Sequence, residues 1–343
     1  MTHSLSIGLL LMLLAGLMAG NCMLPLKFQH HWKWENTWAI FSLVSLVVLP
    51  WALAFLLVTH LAQTYRALPL HALLTPALLG CGWGIAQVLF GLSVKRLGLG
   101  LAYAIIVGLG AVLGTLVPLF LQHRSQLNPS LLGIILTAVA VMVLGIVLST
   151  WGGQIRERTQ GSVPDAPLAG GYASAVLLAI VCGILAPMLN YAFAFGQNIA
   201  VQAAALGNTE VRAAYAVWPI GLAGGLFPNL AYSMWLLRKN RTSRLFHLLA
   251  PDGWWSVLMA VLWMGAMALY GMSAAYMGRL GTSVGWGLFQ IFMIITATLS
   301  GLCTGEWQRA PRSSRFLLAA GLVCLSCATG LLAFSNASVQ GKA

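Results

Sequence analysis

Nine side chains able to hold a polar solute interrupt long apolar runs: Asn21, Trp83, Gln87, Asn190, Tyr191, Asn229, Tyr270, Trp286 and Gln290. Amides and phenols both donate and accept hydrogen bonds, and indoles offer broad apolar faces. The combination suits a neutral polyol or the polar edge of a metabolite, and does not suit a strongly charged ligand. Tyr103 and Tyr232 belong to the same polar set, and Trp218 and Trp263 to the same aromatic one. A polar group in hydrocarbon costs free energy unless it faces a partner or a watery cavity. Each of these residues therefore either makes an interhelical hydrogen bond or lines a hollow. Both uses stay open for each residue, with several of them expected to share one cavity.

The ionisable groups are placed differently. All six acids (Glu35, Glu157, Asp165, Glu210, Asp252, Glu306) and all seven histidines fall in loops or at helix ends. A proton relay at the midplane normally uses such a group. Proton coupling, if it operates, must use Glu35 or Glu306 from a re-entrant or cavity-exposed position; an interfacial Glu at a helix end is the plainer reading. No Ser/His/Asp set, metal-ligand cluster or Walker loop appears, so no catalytic residue, metal or cofactor is expected, and the chain does not read as an enzyme. The six cysteines sit in predicted helices, including the Cys324–Cys327 pair, and are read as small packing hydrophobes.

The elements that must position these residues are membrane-spanning helices. Hydrophobic residues make up 59% of the 343 and charged residues 7%, against roughly a quarter charged in soluble domains; the mean hydropathy is +0.87. A crossing needs about 20 apolar residues, and the runs are too long and unalternating for barrel strands. Ten helices are predicted, at 5–26, 38–59, 73–94, 99–121, 131–151, 172–195, 213–236, 254–276, 284–303 and 314–335. The first, with no basic segment ahead of it, is expected to stay uncleaved.

The net charge of +12 forms no continuous basic face, so nucleic acid is not an expected partner; membrane lipid is. Thirteen of the 18 Lys and Arg residues, among them Lys27, Lys95, Arg156, Arg238 and Arg312, collect in alternate loops. By the positive-inside bias that side is cytoplasmic. Both termini are then periplasmic, in an inner membrane.

The Gly- and Pro-rich stretch 152–171 divides the chain into halves of five helices, 1–151 and 172–343. An odd number per half requires any repeat between them to be inverted. Arg96-Leu97-Gly98 after helix three and Arg279-Leu280-Gly281 after helix eight hint at such a repeat, as do Thr115-Leu116 and Thr298-Leu299. Two inverted five-helix repeats would place a solute site near the midplane between them.

Several short motifs carry a family likeness. Pro25-Leu26-Lys27, Trp34-Glu35-Asn36-Thr37-Trp38, Leu49-Pro50-Trp51-Ala52, Trp83-Gly84-Ile85 and Gly114-Thr115-Leu116 run in order through the first half. Cys182-Gly183-Ile184, Ala203-Ala204-Ala205-Leu206-Gly207 and Glu306-Trp307 extend them into the second. In these the chain resembles the L-rhamnose–proton symporter family of the drug/metabolite transporter superfamily. The resemblance implies a ten-helix inverted-repeat carrier of the bacterial inner membrane that moves a deoxy-sugar with a proton. Gln87 falls where the family pattern carries another amide, while Thr282 to Gln290 is poorer in polar and acidic groups than that pattern.

The expected function is secondary transport of a neutral sugar by alternating access. A metabolite or drug exporter of the same superfamily is the alternative within transport. A membrane-embedded enzyme or a scaffold without a continuous polar cavity is the alternative outside it.

Overall fold

The structure, a computed structural model, describes residues 2–124, 127–159, 171–247 and 251–340. It is all-helical among those residues. Ten helices are long and apolar enough to cross a membrane: α1 (Leu5–Phe28), α2 (Trp34–Leu57), α3 (Leu70–Leu97), α4 (Gly100–Gln122), α5 (Pro129–Thr159), α6 (Gly171–Ala205), α7 (Glu210–Asn240), α8 (Asp252–Leu280), α9 (Val284–Cys303) and α10 (Arg312–Val339). Each predicted run overlaps one of them.

Two departures matter for the site. α5 does not stop at Trp151 but continues to Thr159, carrying Gln154, Arg156 and Glu157 on regular helix. Gly152-Gly153 reads as a terminator by propensity. Packing outweighs it: a Cβ on Gly152 would stand 2.8 Å from the Ser314 carbonyl oxygen, and Ser314 Oγ donates to the Gly152 carbonyl at 2.6 Å. The close approach to α10 needs a glycine there and holds the helix together. Asp165, in the rest of the expected connection, lies outside the described residues.

The second departure is α6, which is interrupted. It runs as Gly171–Leu185, Met188–Phe195 and Gln197–Ala205. Pro187 has no N–H to continue the ladder, and the 196–212 stretch expected as a connection is largely the third of these pieces. α1 breaks in the same manner, ending its α-helical part at Asn21 before a 3-10 turn over Leu24–Phe28 with Pro25 inside it.

The two RLG turns are not conformational equivalents. Gly98 ends α3 with φ +79°, whereas Gly281 has φ −58°. The glycine that ends the Asp252–Met277 helix in a left-handed conformation is Gly278, at φ +68°. The matching position thus lies three residues before the one that the tripeptide suggests.

Small residues bring α3 and α7 into near-backbone contact. A Cβ on Gly224 would lie 1.8 Å from the Ala77 carbonyl oxygen, and one on Gly80 1.7 Å from that of Gly221. Close approach through small residues is how spanning helices associate without a hydrophobic drive between them. The Trp83 ring covers Gly225 of α7, where a Cβ would stand 2.8 Å from it, and both Trp83 and Gln87 reach the bundle interior.

A solute-sized cavity and the charged group at its mouth

The bundle encloses a cavity of ≈ 540 Å³ walled by α1, α3, α4, α5, α6, α8 and α9. Most of its wall is aromatic and aliphatic. Trp83 of α3 and Trp263 of α8 stack with centroids 5.3 Å apart. Trp286 of α9 is fixed by donating from Nε1 to the Gly110 carbonyl at 3.1 Å. Two amides, Gln87 of α3 and Gln290 of α9, and the phenol of Tyr103 line the same space.

The candidate amides divide by what they bond. Asn21 donates to the Leu17 carbonyl of its own helix. Asn229 donates to the Gly225 carbonyl and accepts from Trp38 Nε1, tying α7 to α2. Asn190 donates to the carbonyls of Gly114 and Thr282 and accepts from Tyr270. None of these three lines the cavity. Among the described residues, Gln87 and Gln290 make no hydrogen bond to protein although each could make several. They alone of the candidate amides are free to bind a solute.

Tyr270 and Asn190 close one end. The Tyr270 ring meets Trp286 and Phe289, which line the cavity. On its other side it meets Phe193, which lines a second hollow of ≈ 730 Å³ with His123, Glu210 and Arg279. A single layer of rings and hydrogen bonds therefore separates two spaces opening toward opposite ends. Burial holds the His123 imidazole below its ordinary range, so the second space presents a neutral ring at neutral pH. Tyr191 is packed beside Phe195, away from both hollows.

Glu306, Arg156, Glu157 and Trp307 stand at the open end of the first cavity. Lys27 of α1 pairs with Glu306, and Arg156 Nη1 donates to the other Glu306 oxygen at 3.3 Å. The Arg156 guanidinium also lies 4.6 Å from the Trp307 ring. The Lys27 hydrogen bond holds the Glu306 carboxyl below the usual carboxylate range; partial burial opposes this, and the charges of Lys27 and Arg156 reinforce it. Glu35, the other expected coupling candidate, lies elsewhere. It is buried at the start of α2, where Oε1 accepts from Asn240 and Thr242.

Arg156 and Glu157 escaped sequence reasoning because the double glycine before them mimics a helix end. Lys27 was legible only as a topology marker. The pairing of Pro25-Leu26-Lys27 with Glu306-Trp307, two motifs noted separately, was the available signal.

Comparison with known proteins gives the family. The family model described as L-rhamnose-proton symport protein matches residues 1–338. The chain is 28% identical over 353 residues to the L-rhamnose-proton symporter of Klebsiella pneumoniae (strain 342), covering 98% of this chain and all of that protein. It is 26% identical over 348 residues to that of Cronobacter sakazakii (strain ATCC BAA-894), and 27% identical over 348 residues to that of Shigella boydii serotype 18, with 98% of this chain and all of each relative covered. With ten apolar helices, seven of them walling a cavity that Gln87 and Gln290 line, and a family match over nearly its whole length, the chain is a multi-pass membrane protein that belongs to the L-rhamnose-proton symport protein family.

Proposed function

We propose that this protein carries a neutral deoxyhexose such as L-rhamnose, together with a proton, across the inner membrane by alternating access. One observation carries the reading: Gln87 and Gln290 line a common cavity between indole walls and, among the described residues, make no hydrogen bond to protein. A sugar presents hydroxyls to such amides and an apolar ring face to such walls. The volume lies within the roughly 300–1,000 Å³ of pockets that hold small ligands. The family's description supplies the substrate and the coupling ion. A continuous cavity argues against a scaffold, and the family argues against an exporter.

The inverted-repeat organisation, 1–151 against 172–343, has support in the packing. Advancing each helix number by five, and returning to one after ten, maps neighbours onto neighbours. α1 packs on α8 and α9 as α6 packs on α3 and α4; α3 meets α7 as α8 meets α2; α4 meets α5 as α9 meets α10. The loops follow the same rule. Asp252, the first residue of α8, accepts from the backbone N–H groups of His30, His31 and Trp32 between α1 and α2. Asn208, before α7, binds Thr59 between α2 and α3.

Orientation follows from charge. The cavity mouth carries Lys27 and Arg156, on the side where basic residues collect, so this conformation opens to the cytoplasm, with both termini periplasmic. The test is uptake of labelled L-rhamnose and other hexoses into proteoliposomes, with and without a pH gradient. Saturable uptake competed by L-rhamnose is expected; absence of saturable uptake of every hexose and deoxyhexose removes the sugar reading.

A further inference from the structure

Arg156 is shared between two carboxylates. Its Nη1 reaches Glu306 at 3.3 Å, and its Nη2 approaches Glu157 Oε1 at 3.8 Å. The two acids are unequally served. Glu306 has Lys27 as a second cation, whereas Glu157 has only its part of Arg156 and, among the described residues, accepts no hydrogen bond from protein. Its side chain is 19% exposed and lines the cavity. Water entering the cavity mouth therefore reaches it.

Where two carboxylates share one cation, the less supported one takes the first proton. From this geometry we infer that Glu157 is the residue that binds the coupling proton, with Arg156 as the group that reports its charge to Glu306. The inference rests on the symport reading above. The proton arrives from cavity water and returns to it, and no bond between heavy atoms changes. With Glu157 ionised, two acids compete for one guanidinium. With Glu157 protonated, Arg156 belongs to Glu306 alone. That strengthens the link between α5 and the Glu306-Trp307 turn after α9, which lie in opposite halves of the chain. The proton thus acts on a contact that must change if the halves are to rock.

Lys27 of α1 and Glu306 complete the mouth, and Tyr103 of α4 and Cys182 of α6 line the same cavity. Arg158 is exposed. Arg315, exposed at the start of α10, is held by the carbonyls of Ala310 and Gln308. Glu306, doubly paired, is the anchor of the group. Neither Glu306 nor Glu35, the two acids that sequence pattern singles out, has the combination of cavity water and weak pairing that Glu157 has.

Two readouts test this in proteoliposomes holding the full chain. One is L-rhamnose accumulation under an imposed pH gradient. The other is the infrared carbonyl band of a protonated carboxyl group, followed through a pH titration of the same membranes. In the wild type a gradient of about one pH unit, acting through one proton per sugar, raises accumulation by up to about tenfold. E157Q is expected to abolish that response and flatten the pH profile of the uptake that remains, while E157D retains the response. The titrating carboxyl band should lose one carboxyl's intensity in E157Q, the component that takes up its proton first as pH falls, and keep that component in E306Q. A gradient response or a titrating band that survives unchanged in E157Q overturns the inference. If the wild type moves no sugar, the carrier reading fails separately, and the band alone then decides whether Glu157 binds the proton.

Discussion

Tyr270 of α8 donates a 2.5 Å hydrogen bond to the amide oxygen of Asn190 in α6, and both side chains are fully buried. The Asn190 nitrogen donates at 2.9 Å to the carbonyls of Gly114 in α4 and Thr282 ahead of α9. One amide therefore ties four segments from both halves of the chain, at the layer between the two hollows. Opening the second hollow to the cavity requires this tie to break.

Y270F tests that consequence. It removes the donor and leaves the Asn190 oxygen buried without a partner, a loss of about 1–2 kcal/mol borne by the state described here. The population of the opposite state should rise about 5- to 30-fold. In a background without native cysteines, Leu189→Cys on the cavity wall should then react faster with an impermeant maleimide from the side of the second hollow. Equal labelling rates with and without Y270F would show that this tie does not hold the layer shut.

The free amides make a second prediction. Q87L and Q290L each remove hydrogen bonds to a sugar hydroxyl while keeping side-chain bulk. Each should weaken L-rhamnose binding by about 1–2 kcal/mol, or roughly 5- to 30-fold in Kd, in titration calorimetry on purified protein. N229L, by contrast, should lower thermal stability, because Asn229 joins α7 to α2 through Trp38. An equal affinity loss in all three would remove the distinction between binding and structural amides.

That distinction was not legible in the sequence, whereas the helices were. Apolar runs mark spanning segments directly, since every residue facing lipid must be apolar and the length is set by the bilayer. An amide within such a run reveals only that it needs a partner. Gln87 and Asn190 look alike until the fold shows Gly114 and Thr282 beside one and a cavity beside the other. Arg156 and Glu157 were hidden for a related reason. Gly152-Gly153 signals a helix end by propensity, and only contact with Ser314 explains why the helix goes on.

The mouth should respond to pH in a definite direction. Glu306 is held below its ordinary value when folded. Its pairing with Lys27 and Arg156 therefore stabilises the protein above the unfolded carboxyl value of about 4.3. That contribution fades as pH falls through the lowered folded value. Thermal unfolding of wild type and E306Q should differ at neutral pH and converge in acid. Because the Lys27 and Glu306 side chains are 52% and 37% exposed, added salt should narrow the neutral-pH difference as well. A gap independent of both pH and salt would mean that Glu306 acts by packing rather than by charge.

The paired loops give the last prediction. Asp252 is buried at the start of α8 and accepts three backbone N–H groups at 3.1, 2.7 and 2.7 Å. Asn208 uses both ends of its amide on Thr59 and donates also to the Ala203 carbonyl. If the halves are inverted copies, these are corresponding loop pairs at opposite membrane faces, one gripped by a charged side chain and the other, from the opposite partner, by a neutral one. Charged acceptors contribute about 1.5–3 kcal/mol per hydrogen bond, and neutral pairs about 0.5–1.5 kcal/mol. D252A should therefore lower the unfolding midpoint more than N208A. Hydrogen exchange should locate each loss, at residues 29–33 for D252A and 58–61 for N208A. Deprotection at both loops from either substitution would show one cooperative unit; deprotection confined to its own side is what two separate clamps require.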